Sequence, residues 1–354
     1  MLAATSVTQE YLEFQSNRIE AVLASHRVPA RVHGGAVSPR WIRFHLTPAI
    51  GARIATVRNL SEELALALGA ADVRIAREGQ SLAVEVPRPD AKPVRLLPFL
   101  RGLHHLPPLT ACLGISEDGR PLLLRLPAPD VAHVLIAGTT GSGKTELMRS
   151  MVMSLAVGSR QATLQIALID PKMRGLAPLA GLRHLIAPPA ATPPAALDLL
   201  RRLADEMIRR DADGVSTPHI AIVVDETLDL LMTGGKEVES LLTRIAQRGR
   251  EAGLHLILGA QKPSAAALGG MLKANFPVRL VGKVASADDA RIAAGLGASG
   301  AEKLQGRGDF IAIASGQVTR FQAAFLPAPD WAELHRAMAQ GARIVGTRLD
   351  DEGD

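Results

Sequence analysis

The sequence predicts an α/β fold built on a mainly parallel sheet with helices on both faces, preceded by a small α+β domain. From about Leu113 onward, strand-like apolar runs alternate with helix-like ones: "HVLIAG", "LQIALID", "IAIVVDE", "LHLILGAQ", "VRLVGKV" and "DFIAIAS". Strands joined by crossover helices leave that alternation, and their continuous apolar character fits burial on both faces. Before them the texture is different, with short alternating segments and one brief helix. The bulk numbers agree: of 354 residues, 47% are hydrophobic and 21% charged, enough for a packed core and unlike a disordered chain. Aromatic residues are only 3%, so the core falls to Leu, Ile, Val and Ala.

Taken in order, residues 6–25 place Tyr11, Phe14, Ile19, Val22 and Leu23 at helical spacing, which predicts an amphipathic helix. Residues 27–95 form the small module: "WIRFHL", "RIATV", "DVRIAR" and "SLAVEVP" read as strands, and "SEELALALG" as a helix closed by Gly69. A proline-rich passage from Pro87 to Pro108 reads as a linker. The expected organisation is therefore an N-terminal helix (1–26), the small domain with its linker (27–110), the large domain (111–328), and a terminal helix with an acidic tail, DDEGD (329–354). Within the large domain, Val238, Leu241, Leu242 and Ile245 make one apolar stripe of a helix at 236–253, leaving Arg244, Arg248 and Arg250 to its surface, with a subunit interface as the alternative for Arg248 or Arg250. The last helix, Trp331 to Val345, caps the large domain or binds a protein partner.

Several classes are excluded. The single cysteine, Cys112, rules out an intrachain disulfide framework and a cysteine-built metal site, which suits a reducing cytoplasm. No apolar run is long enough to predict a membrane helix, and the start lacks a basic segment followed by an apolar one. A soluble cytoplasmic protein is the expectation. The formal charge of +5 and the pI near 9.7 permit a polyanionic partner without requiring one.

The chemistry is concentrated in Gly138, Thr139, Thr140, Gly141, Ser142, Gly143, Lys144 and Thr145, which satisfy G-x-x-x-x-G-K-[ST] at every fixed position. The motif follows an apolar strand and opens an apolar-periodic helix. In that setting the glycines let backbone N–H groups wrap a phosphate, and the helix N-terminus adds partial positive charge. Lys144 would reach the β- and γ-phosphates of ATP, and Thr145 would ligate Mg²⁺. At the end of "HIAIVVDE", Asp225 is placed to hold Mg²⁺ through water and Glu226 to orient or deprotonate an attacking water, unless the pair is simply an acidic helix cap. Gln261 ends the next strand, where an amide can sense the γ-phosphate or sit solvated in a loop. Asp170 and Lys172 in "IDPK" lie near the expected site, and a structural salt bridge explains them equally well.

An N-K-x-D guanine-reading element and an Arg-rich lid are both lacking, so a RecA-like P-loop motor fits better than a GTPase or a metabolite kinase. The stretches "HVLIAGTTGSGKT", "ALIDPKMRGLAPLAGLRHLI", "VVDETLDLL", "LLTRIAQRGREAGLHLILGAQKPS", "KANFPVRLVGKVASADDARI" and "GRGDFIA" resemble, in collinear order, the motor domain of the FtsK/SpoIIIE DNA translocases. Upstream, "RNLSEELALALGAADVRIAREGQSLAVEVPRP" is similar to that family's small α domain. The resemblance runs from about Val37 to about Pro327. It implies an ATP-driven translocase acting on double-stranded DNA as a homohexameric ring, with sequence-independent backbone contacts. It further implies that Arg279 acts across a subunit interface as an arginine finger, against the alternative of a strand-face arginine paired with a carboxylate. Arg291, Lys303 and Arg320 fall where the family's channel loops approach DNA phosphates; solvated surface charge is the alternative for each.

Members typically carry membrane helices and a linker before the motor and a DNA-reading winged-helix domain after it. The sequence holds neither, and a compact soluble translocase of a mobile-element, phage or plasmid-like system is the expectation. A rival reading comes from relatives of the fold in secretion systems, ring ATPases that translocate or recruit protein substrates. A third, a nucleotide-binding subunit with little turnover, is opposed by the presence of Glu226 and Gln261.

Overall fold

The computed structural model describes residues 7–49, 51–78, 81–261 and 275–346. The chain divides into two compact units, Met1–Pro93 with Ile115–Arg120, and Val94–Gly114 with Pro121–Asp354.

The first unit opens with α1 (Gln9–Ser25), whose N-cap Thr8 accepts a hydrogen bond from Tyr11 N at 3.2 Å. Strands β1 (Ala30–Val37) and β2 (Trp41–Pro48), helices α2 (Ile54–Arg58) and α3 (Ser61–Leu68), and strands β3 (Arg74–Glu78) and β4 (Ser81–Pro87) follow. The sheet is antiparallel, in the order β1-β2-β4-β3. Its core joins Ile19 and Leu23 of α1 and Leu64 and Leu68 of α3 to the alternate residues Ile42, Phe44, Leu46, Leu82, Val84 and Val86. Helix α1 is thus part of this unit's core. Gly69 closes α3 with φ of 65°, as the sequence predicts. The segment "RIATV" differs, forming α2 where a strand was expected. Five residues are too few to separate a period of two from a single helical turn, and only Val57 is buried. On β2, Arg43 is buried and ion-paired with Glu85 at 2.9 Å and with Glu117 at 2.5 Å.

The second unit comprises β5 (Val94–Arg95), α4 (Leu96–Gly102), β6 (Thr110–Ser116, whose last two residues belong to the first unit), β7 (Pro121–Arg125), β8 (Val134–Ala137), α5 (Lys144–Gly158), β9 (Leu164–Ile169), α6 (Pro193–Asp213), β10 (His219–Val224), α7 (Thr227–Arg248), β11 (Leu254–Ala260), β12 (Val278–Val281), α8 (Ala287–Ala294), β13 (Asp309–Ala314), β14 (Gln317–Phe325) and α9 (Ala328–Gln340). The passage expected to be a linker contains α4, with Leu96, Leu97, Phe99 and Leu100 buried; its prolines masked an apolar helix. The large sheet runs β7-β6-β14-β13-β12-β8-β11-β10-β9. Its stretch β12-β8-β11-β10-β9 is parallel, while β13 and β14 are antiparallel additions.

Alternation along the parallel strands divides the two faces. Leu254, Leu256, Leu258 and Ala260 join the core made with α6 and α7, which includes Leu199, Leu203, Leu242 and Ile245. Gly259 points the other way: a Cβ there would lie 2.9 Å from Met148 Sδ of α5. Helices therefore cover both faces, and β8 lies between β11 and β12. The residues that leave the C-terminal ends of β8, β9, β10, β11 and β12 gather at one edge, where open parallel sheets bind ligands. The tail DDEGD lies outside the described residues.

Candidate nucleotide-binding site

Gly138 follows β8 directly, and the loop it starts ends at Lys144, the first residue of α5. Thr140 and Gly141 are its exposed tip, and Gly141 and Gly143 hold φ of 81° and 99°, the left-handed region open to glycine. Gly143 is needed for space as well, because a Cβ there would stand 2.8 Å from Gly308 N. Two segments fix the loop from outside. Thr139 donates through its N–H (2.9 Å) and hydroxyl (3.0 Å) to Lys283 O, just beyond β12. Arg307 N donates to Gly141 O at 2.9 Å and Gly308 N to Ser142 O at 2.7 Å. Ser142 Oγ is buried without a hydrogen-bond partner among the described residues.

Lys144 is 5% exposed. Its ammonium bonds the Asp225 carboxylate and donates to Glu226 Oε1 at 3.1 Å. Gln261 Nε2 donates to the same Glu226 oxygen. Four of the five predicted catalytic side chains therefore meet at one point. Glu226 stands in the left-handed region, with φ 54° and ψ 51°, while its N–H donates to Asp225 Oδ1 at 3.0 Å. That conformation costs a non-glycine residue about 1–2 kcal/mol, and here it turns the carboxylate off the line of β10 toward Lys144 and Gln261.

The turn after β9 closes the other side. Asp170 is buried and accepts from Lys172 N at 3.2 Å and from Gly175 N and Leu176 N, both at 2.8 Å. Asp170 is thus a turn organiser, while Lys172 pairs with Asp229. The turn seats Gly175 so closely that an added Cβ would lie 2.1 Å from Asp225 Oδ2 and 3.2 Å from Thr145 Cγ2. Thr145, through its methyl, and Asp225 consequently border the same small space, and a threonine hydroxyl with a carboxylate is an oxygen donor set of the kind Mg²⁺ takes. The glycine-shaped loop, the orphaned Ser142 Oγ and the buried ammonium likewise fit a phosphate chain.

Two arginines stand elsewhere than the sequence suggested. Arg279, expected to reach a neighbouring subunit, is 9% exposed on β12. Its guanidinium is folded inward, with Nε 3.4 Å from Phe276 O, Nη1 3.5 Å from Ala293 O at the end of α8, and Gly295 packed against it. Burial lowers its pKa from the usual arginine range. Arg320, expected to touch DNA, is 8% exposed on β14 and makes a two-pronged bond to Asp309 on β13, each arm 2.9 Å. Both side chains lie on stretches buried on both faces, β12 at all four residues and β14 from Arg320 to Ala324. Arg291 on α8 and Lys303 in the short 3₁₀ turn at Ala301–Lys303 are exposed. Arg291 has Asp288 one helical turn away, at 3.6 Å.

Sequence reasoning missed four contributors. They are Gly175, Arg149 (which donates to the Gly175 carbonyl at 2.5 Å), the Lys283 carbonyl, and the Arg307–Gly308 backbone. Only the last left a signal, the "GRG" before β13, where three successive residues have φ of 78°, 52° and 89°.

Comparison with known proteins places these features in a lineage. The sequence profile described as the FtsK/SpoIIIE family matches residues 106–214 and 210–265, and that of the FtsK alpha domain matches residues 2–88. A DNA translocase FtsK of Sporosarcina ureae is 33% identical over 359 residues, covering 91% of this chain and 46% of the relative. The DNA translocase SftA of Bacillus subtilis (strain 168) is 33% identical over 345 residues, covering 89% of this chain and 36% of the relative. The chain thus spans less than half the length of these relatives. Among solved structures, the pCW3 conjugation coupling protein TcpA shares the fold with a TM-score of 0.62 at 18% identity, covering 92% of this chain and 99% of that one. The cytoplasmic domain of the Thermomonospora curvata Type VII secretion ATPase EccC has a TM-score of 0.55 at 26% identity, covering 68% of this chain and 33% of that one.

Proposed function

Since the chain belongs to the FtsK/SpoIIIE family, we propose that it is an ATPase whose turnover drives movement along double-stranded DNA, as a ring of six copies that holds the sugar–phosphate backbone without reading sequence. The observation that carries this reading is the convergence of Lys144, Asp225, Glu226 and Gln261 beside a glycine-shaped phosphate loop. Backbone N–H groups of Gly141 to Thr145 and the N-terminus of α5 take the phosphates, and Lys144 leaves the two carboxylates for phosphate oxygen. Thr145 and Asp225 would hold Mg²⁺, which would neutralise charge on the phosphates. Glu226 accepts a proton from the water that attacks the terminal phosphorus as the bridging P–O bond breaks. Gln261 fixes the position of that carboxylate and reports the terminal phosphate.

Arg291 and Lys303, exposed and on adjoining elements, are the proposed phosphate contacts. Their loss should weaken DNA binding across all sequences and flatten its dependence on salt. The test is steady-state ATP hydrolysis at low salt, with and without long linear duplex DNA, with Lys144→Ala as the blank. Several-fold stimulation that the variant lacks supports the DNA motor, and equal rates exclude it. The likeness to EccC supports a second reading, a motor acting on protein substrates, and indifference to DNA is what that reading expects. Light scattering with ATP bound tests the ring.

A further inference from the structure

The second unit holds a cavity of about 790 Å³ at the opposite end of α5 from the phosphate loop. It lies within the size range of small-molecule sites, roughly 300–1,000 Å³. Arg160, Arg183 and Arg343 line it together with His105, His184 and His335, and among the described residues no carboxylate side chain does. These residues come from four separate places in the chain: the segment after α4, the turn after α5, the 181–184 turn and the end of α9. Among the described residues, neither Arg160 nor Arg183 has a carboxylate partner, and Arg343 donates only to Val345 O, at 3.0 Å.

The charge balance there is positive. Helices α5 and α9 both end at the cavity, each bringing about −0.5 of partial charge against three guanidiniums, for a net of about +2. A second observation comes from the wall. His184 is 6% exposed, and its Nε2 faces Ser159 O at 2.9 Å, so that nitrogen carries the proton. Its Nδ1 is buried with no hydrogen-bond partner. Without a proton, Nδ1 is an acceptor that a ligand hydroxyl or protonated phosphate oxygen would satisfy, while the guanidiniums take the anionic oxygens. The site is distinct from the phosphate loop, because α5 spans 15 residues, about 21 Å, between them.

We infer that this cavity binds a small polyanion carrying two or more phosphate groups. A concave site of this volume suits a compact ligand rather than the broad face of a duplex.

Calorimetric titration of sodium tripolyphosphate into the full chain carrying Lys144→Ala tests it. That background removes the ammonium of the phosphate loop and leaves Asp225 and Glu226 to repel anions there. Saturable binding is expected, at least tenfold weaker after Arg160→Gln with Arg183→Gln, also weaker after Arg343→Gln, and unchanged by Arg336→Gln, an exposed arginine of α9 that does not line the cavity. Absence of saturable binding, or equal affinity in the double variant at a matched melting temperature, overturns the inference. A parallel titration with a short DNA duplex separates the sources. Loss of duplex binding in the double variant with tripolyphosphate binding intact makes the patch a nucleic-acid contact and also overturns it. These outcomes do not depend on ATP turnover, so they stand apart from the motor reading.

Discussion

Gly175→Ala should cripple hydrolysis while leaving the fold standing. The added Cβ would sit 2.1 Å from Asp225 Oδ2, where ordinary contact begins at about 3.4 Å, so one of the two must retreat by more than 1 Å. The turn cannot easily yield, because Asp170 holds the N–H groups of Gly175 and Leu176 and Arg149 holds the Gly175 carbonyl. Asp225 moves instead, and with it the Glu226 N–H and the Lys144 ammonium bonded to it. Displacement of a catalytic group by about 1 Å costs on the order of 10²-fold in rate, or about 2.7 kcal/mol of barrier. Phosphate release under saturating ATP gives kcat, and thermal unfolding monitors the fold. Gly259→Ala is the graded companion. Its Cβ would meet Met148 Sδ at 2.9 Å, Asp225 Oδ1 at 3.0 Å and Lys144 Nζ at 3.1 Å, chiefly the movable ends of side chains, so a loss of only about tenfold is expected. A Gly175→Ala protein with unchanged kcat and melting temperature would refute the assignment of Thr145 and Asp225 to one shared metal-holding space.

Other consequences follow from the same geometry. Arg320→Met should destabilise the chain by about 3–5 kcal/mol in urea titration by stranding buried Asp309, and adding Asp309→Leu should recover part of the loss; a wild-type midpoint for the single variant would restore Arg320 as a surface contact. In a mixing experiment, Lys144→Ala subunits, which retain Arg279, should fail to rescue hydrolysis by Arg279→Ala subunits, since the guanidinium is turned inward; rescue would reinstate the arginine finger. Burial pushes His133 and His255 down to about 4, so both resist protonation in the folded chain. The unfolded chain binds those protons first, near pH 6.5, so stability is fully present above that value and is lost as pH falls toward 4. Between pH 7.5 and 5 the loss is about 2 kcal/mol for each, by 1.36 kcal/mol per unit over about 1.5 units below 6.5, measured as urea midpoints at those two pH values. Cys112 is 0% exposed and burial pushes its thiol up to about 12, so iodoacetamide should label it only after unfolding.

The sequence was most legible where a motif and a period coincide. The loop from Gly138 to Thr145, the strand ends at Asp225 and Gln261, and the helix stripe of Val238, Leu241, Leu242 and Ile245 all stand where spacing put them. Local pattern failed where a tertiary neighbour decides. "RIATV" carries the same alternation as a strand but pairs with no strand among the described residues, and the prolines around "LLPFLRG" hide a buried helix. The two arginines went astray for a related reason. A charged side chain on a strand reads as exposed unless its partner is known, and Asp309, two residues from the register partner Ile311, comes within reach of Arg320 only because β13 and β14 pair as a hairpin. Gly175 was invisible, since no property of a glycine in a turn says which carboxylate will stand 2.1 Å from its missing Cβ.

The charges at the phosphate loop also explain why binding and cation uptake should go together. Lys144 carries +1, Asp225 and Glu226 carry −1 each, and the cluster therefore sums to −1 with the ammonium fully occupied. A phosphate chain arriving alone must draw Lys144 away and leave two carboxylates facing its own negative charge in a site sheltered from water, where such repulsion is poorly screened. A divalent cation, if held by Thr145 and Asp225, would change the sum to +1, and Lys144 would then be free for phosphate. Nucleotide affinity should therefore fall steeply when EDTA strips the solution of Mg²⁺, and Asp225→Asn should blunt that dependence by removing one of the repelling charges along with a cation ligand. Equal nucleotide affinity with and without the cation in the unaltered chain would mean that Lys144 alone overcomes both carboxylates, against the ion pairing the structure displays.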